Sequence, residues 1–147
     1  MEYAQDPEKL IFKHLYILKR YTDKGVISLM PSGYNMTYMP YFMSIGHTGI
    51  SNHELVQKIM VTKQAVSKTV KELERLGLVY SRKSETDARS IMIFLTGEGK
   101  TLYEAISEMA NKITGEYVKL IGAKKYEQFI DTFIKISAWH EAQEKLQ

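Results

Sequence analysis

The chain has 147 residues, 44% hydrophobic and 25% charged, which suits one domain with its own core and leaves no room for a binding module plus a full catalytic domain. It has no cysteine, which rules out disulfides, thiolate metal sites and a cysteine redox switch. The net charge of +3 is unevenly placed: residues 51–95 hold eight Lys or Arg against five Asp or Glu, and all other residues hold twelve of each. A surplus confined to one segment favours a polyanion such as nucleic acid as partner, with an ordinary solvated basic face as the alternative.

The start, MEYAQDPEKL, is acidic and polar, unlike a secretion signal, and no apolar run approaches the roughly 18 residues needed to cross a bilayer, so a cytoplasmic protein is expected. Asp6-Pro7-Glu8 predicts a helix start, with Asp6 as N-cap and Pro7 at the first position, where its missing N–H is harmless. Leu10, Ile11, His14, Leu15, Leu18 and Tyr21 then recur at helical steps. MPSGYN (30–35) has turn chemistry, and MTYMPYFMSIG predicts a short apolar helix with Pro40 in its first turn. Gly46 and Gly49 bracket a connection ending at Ile50.

Ser51 and Glu54 have capping-box spacing, so a helix is expected over SNHELVQKIM. Thr62 is the N-cap of a second, KQAVSKTVKELERLG, closed by Gly77. Val66, Val70 and Leu73 form its apolar stripe, with Ala65, Thr69 and Leu76 beside it; Lys63, Gln64, Ser67, Lys68 and Lys71 occupy the other side. LGLVY and IMIFLT predict two strands around the polar loop SETDARS, and Thr96 starts a helix ending near Gly122. A last helix carries Tyr126, Phe129, Ile130, Phe133, Ile134, Ile136 and Trp139, an apolar arc wider than one neighbour covers. A second copy of the chain is the expected cover, giving a twofold dimer.

Two short helices joined by a tight connection, the second polar and basic outside, make a helix-turn-helix. The major groove admits one helix, and its N-terminal turns reach base edges. Gln64 suits adenine, Lys68 suits guanine, Ser67 can touch a base or a phosphate, Lys63 suits a phosphate, and Lys71 shares this DNA-facing side. The polar hairpin beside it becomes a wing: Arg89 enters the minor groove, Arg82 and Lys83 add phosphate contacts, and Asp87 pairs with a nearby arginine, Arg89 itself being the nearest, to hold the tip.

The stretch ELVQKIMVTKQAVSKTVKELERLGLVYSRKSETDARSIMIFLTGEGK resembles the winged helix-turn-helix of the MarR family of bacterial transcriptional regulators. It includes the Asp-x-Arg wing signature, here Asp87-Ala88-Arg89, and LT-x-x-G, here Leu95 to Gly99. The resemblance implies a mainly α fold, a single domain over 1–147 with 36–96 as the winged part, and dimerisation through helices in 1–34 and 97–147. It also implies a homodimer on a pseudo-palindromic operator, often released by a small ligand between the dimer helices and the winged part. Met60 departs from the pattern, standing where such turns often have glycine.

No cofactor is called for: there is no glycine-rich nucleotide loop, no set of Ser, His and Asp suited to catalysis, and so no enzyme is expected. His14, His47, His53 and His140 show no paired metal spacing. The aromatic and methionine-rich stretch 34–43 either lines an effector pocket, with Tyr16, Tyr38 and Phe42, or packs as core. A winged-helix module that binds protein instead of DNA is the rival reading.

Overall fold

The computed structural model describes residues 6–146, so the first five residues of the polar start lie outside the described residues. These form two compact units, one up to Ser107 and one from Glu108. The first contains α1 (Ile11–Ile27), α2 (Met39–Ile45), β1 (Ile50–Ser51), α3 (Asn52–Ile59), α4 (Lys63–Arg75), β2 (Val79–Lys83), β3 (Ile91–Leu95) and the first turns of α5 (Gly97–Ile121). The second holds the remainder of α5, and α6 (Ala123–Lys145).

Asp6 accepts a hydrogen bond from the Glu8 N–H at 3.0 Å, as its spacing suggests, but it caps only a 3-10 turn over Pro7–Lys9. Leu10 is extended (φ −73°, ψ 117°), so the long helix begins at Ile11, later than the sequence pattern indicates. Pro40 falls in the first turn of α2, after a 3-10 turn that Asn35 caps through the Thr37 N–H.

The antiparallel sheet has strand order β1-β3-β2, with Ile50 opposite Ile93 and Val79 opposite Leu95. On the core side Phe42, Ile45, Leu55, Val66, Leu73 and Ile93 are almost wholly buried, each side chain contributing about 1.5–3 kcal/mol by burial. The α4 stripe therefore anchors the helix through Val66, Thr69, Val70 and Leu73 and leaves the opposite side outward.

The LT-x-x-G segment joins the sheet to α5. Thr96 Oγ1 donates to the Gly77 carbonyl at 2.6 Å and accepts from the Gly99 N–H at 3.0 Å, while Leu95 is buried. A Cβ on Gly99 would lie 2.0 Å from the Leu78 carbonyl oxygen, so only glycine lets the helix start this close to the strand.

In the second unit no described residue of α6 is buried. Phe129 and Phe133 meet edge to face, with ring centroids 4.9 Å apart, yet Ile134 and Trp139 are each 59% exposed. The wide apolar arc of the last helix is not covered within this unit.

Candidate nucleic-acid interface

Ser51 Oγ accepts from the Glu54 N–H at 3.1 Å and starts α3. The helix ends at Met60, whose left-handed conformation (φ 55°, ψ 51°) makes it the only non-glycine residue at positive φ among the described residues. The turn thus takes glycine-like geometry without glycine. Val61 follows, and Thr62 Oγ1 accepts from the Ala65 N–H at 3.0 Å to start α4. Lys63, Gln64, Ser67, Lys68 and Lys71 are all exposed on one side of α4. Free N–H groups and the positive end of the helix dipole lie at that same N-terminus, a combination that attracts phosphate.

The wing tip is held by its own short polar side chains. The Ser84 N–H donates to the Ser90 carbonyl at 2.9 Å, closing the loop. Ser84 Oγ accepts from the Thr86 and Asp87 N–H groups, each at 3.3 Å. Asp87 Oδ1 accepts from the Arg89 N–H at 3.0 Å. Asp87 therefore orders the tip through the main chain of Arg89, not by the expected pairing with a guanidinium; an Asx turn reaches two residues on and leaves the Arg89 side chain exposed. Neither Gly nor Asn is needed, because serine and aspartate oxygens supply what a tight turn's backbone otherwise would.

Arg82 and Lys83 occupy opposite faces of β2. Arg82 lies over the Tyr80 ring at 5.2 Å, and Tyr80 stacks on Phe94, with centroids 5.4 Å apart. Ser81, one residue along, faces α4 and donates its hydroxyl proton to Glu74. Lys83 shares the Ser81 face by strand alternation, so Arg82 points away from the reading helix. The α4 acids are likewise engaged locally: Glu72 accepts from Arg75 at 2.9 Å, and Glu74 from Ser81.

Tyr16, Tyr38 and Phe42 are not brought together. Phe42 is wholly buried, Tyr16 is 63% exposed on α1 with Arg20 5.5 Å above its ring, and Tyr38 is half-buried edge-on to Tyr34 at 5.6 Å. Burial pushes the Tyr34 phenol above its ordinary value. A groove of about 530 Å³ opens elsewhere, between Leu29 to Pro31, Leu76, Leu78 and the first turns of α5, with Glu98 and Thr101 as its polar groups. Three separate stretches of chain supply it, so no spacing in the sequence marks it. The histidines sit apart: His14 Nε2 lies 2.6 Å from the Glu8 carbonyl, His47 meets Tyr103, His140 meets Trp139, and His53 is exposed on α3.

A capped helix pair, an outward cationic face and an ordered hairpin define a winged helix-turn-helix, the fold of a DNA-reading protein. A family model described as MarR family matches residues 32–90. The HTH-type transcriptional regulator MgrA of Staphylococcus aureus is 26% identical over 110 residues, covering 72% of this chain and 74% of that protein. The fold resembles that of the transcriptional regulator SlyA, with a TM-score of 0.76, 16% identity, and 93% of this chain and 99% of that one covered. It also resembles NadR, solved in complex with 4-hydroxyphenylacetate, with a TM-score of 0.65, 18% identity, and coverage of 86% and 88%. These likenesses support a winged-helix regulator similar to the MarR family, with the family match confined to residues 32–90.

Proposed function

We propose that the protein is a homodimeric repressor that binds a pseudo-palindromic operator sequence-specifically and is released by a small-molecule effector. The observation that carries the DNA reading is the division of α4: one side is buried in the core, and the other presents Lys63, Gln64, Ser67, Lys68 and Lys71 beside a wing tip already ordered around Arg89. Thr62 fixes where that helix starts, and Lys83 lies on the same sheet face as α4. Arg82, stacked on Tyr80, reaches phosphate only along the outer edge of the wing.

Dimerisation is supported by the large apolar side chains left uncovered on α1 and α6, among them Phe12 at 79% and Trp139 at 59% exposure. An effector is supported by NadR, a similar fold solved with 4-hydroxyphenylacetate. A cytoplasmic location fits this role, and no described helix is long and apolar enough to cross a membrane.

Selection of duplexes from a random library by the purified protein tests the proposal. An enriched sequence with two inverted half-sites about one helical turn apart is expected. Arg89→Ala should weaken binding to that duplex and lower the salt slope by about 1 per arginine, so about 2 per dimer. A protein that enriches no sequence contradicts the proposal, and an unchanged slope contradicts the wing contact.

A further inference from the structure

A groove of about 300 Å³ separates α4 from the wing strands, with Val66, Val70, Ile91 and Ile93 among its lining residues. Close packing of the buried Val66, Val70 and Ile93 holds the inner side of this contact, and the groove leaves its outer edge open, where polar groups can set the remaining freedom of the helix against the strands. One polar link spans the groove from α4 to the wing, and a second ties the wing's returning strand to α3. The Glu74 carboxylate, in the last turns of α4, accepts from Ser81 Oγ in β2. Asn52 Oδ1, at the start of α3, accepts from the Ile91 N–H where β3 returns from the wing, at 3.2 Å.

We propose that Glu74 is a positioning residue: by tying the reading helix to β2 it sets the angle between α4 and the wing, with Asn52 holding the returning strand from the other side. DNA demands that the major-groove helix and the minor-groove tip fit one duplex at once, so this angle determines whether both contacts form together. The assignment rests on the DNA-binding reading above. It also accounts for an acid in the part of the molecule that meets a polyanion: the carboxylate serves as an acceptor, and its charge opposes binding only mildly at this distance from the helix N-terminus.

Glu74→Gln and Glu74→Ala separate the two roles, because both remove the same charge and only glutamine keeps an acceptor for Ser81. On the duplex selected by the wild-type protein, Glu74→Gln should bind as tightly as wild type or tighter. Glu74→Ala should bind about tenfold more weakly than Glu74→Gln, in the range of coupling between residues that share one bond. On a scrambled duplex at low salt the two should be equal. Ser81→Ala, which removes the donor at an exposed position, should reproduce the loss, and the double variant Glu74→Ala/Ser81→Ala should be no worse than Glu74→Ala alone. Equal binding of the alanine and glutamine variants to the selected duplex overturns the proposal, leaving the carboxylate only a charge. If Glu74→Ala folds poorly, an unaltered Ser81→Ala overturns it just as well. A wild-type protein that prefers no duplex defeats the DNA reading itself, an outcome distinct from a selective wild type with indistinguishable variants.

Discussion

Met60 illustrates how one residue carries a cost that its neighbours impose. The turn between α3 and α4 is set by the Thr62 cap and by the burial of Leu55 and Val66 on either side, and this geometry leaves Met60 left-handed at φ 55°. A left-handed residue with a Cβ costs roughly 1–2 kcal/mol. The Met60 side chain is half exposed and returns little packing in exchange. Met60→Gly removes the clash but loosens the unfolded chain by roughly 0.5–1 kcal/mol, so we expect a net gain of up to about 1.5 kcal/mol. Urea unfolding at fixed protein concentration measures it, and a loss of stability would mean that the methionine side chain contributes contacts worth more than the strain. Sequence alone marks the position as unusual and leaves its geometry open, because the dihedral is dictated by what flanks it. Asp87 shows the same limit: its place in the wing is legible from Asp-x-Arg, but whether its oxygen meets a guanidinium or an amide depends on the path of the loop.

At the scale of elements, the signals that proved legible are those made between near neighbours in the chain. Ser51 and Thr62 cap helices through bonds spanning three residues, and the α4 stripe follows from its period. The strand β1 was not legible: two residues, Ile50 and Ser51, carry no period, and they become a strand only by pairing with Ile93 and Met92. The start of α1 was misplaced for a related reason, since a capped proline fits a 3-10 turn as well as an α-helix. LT-x-x-G lies between these cases, because its glycines look alike in sequence and differ sharply in place. Gly99 meets the Leu78 carbonyl, whereas Gly97 has open space around it. Gly99→Ala must shift backbone and should cost about 1–3 kcal/mol. Gly97→Ala should be neutral or stabilising by up to about 1 kcal/mol through helix propensity. Thermal unfolding of the two variants side by side reads the contrast, and equal effects would mean that α5 does not start against the strand as described.

For the whole molecule, the sequence feature that decides most is the breadth of the last helix's apolar arc. Its residues recur on more than one side, and in its own unit Ile134, Ile136 and Trp139 remain exposed. On α1, Phe12, Tyr16, Tyr21 and Ile27 are also uncovered. Apolar area of this extent is ordinarily buried against a partner, and a second copy supplies one that is present whenever the protein is. A stable dimer buries on the order of 1,200–2,000 Å², and tryptophan is a side chain on which such interfaces often depend. Trp139→Lys places a charge where an indole would be buried, and truncation of such anchors typically costs about 2 kcal/mol or more, roughly thirtyfold in the dimerisation constant. Sedimentation equilibrium should find the wild type dimeric at micromolar concentration and the variant partly dissociated. Affinity for the selected duplex should fall with it, because two half-sites read by one linked pair of heads gain from effective concentration, and separate monomers do not. A variant that stays dimeric and binds as before would remove Trp139 from the interface and turn attention to the apolar face of α1.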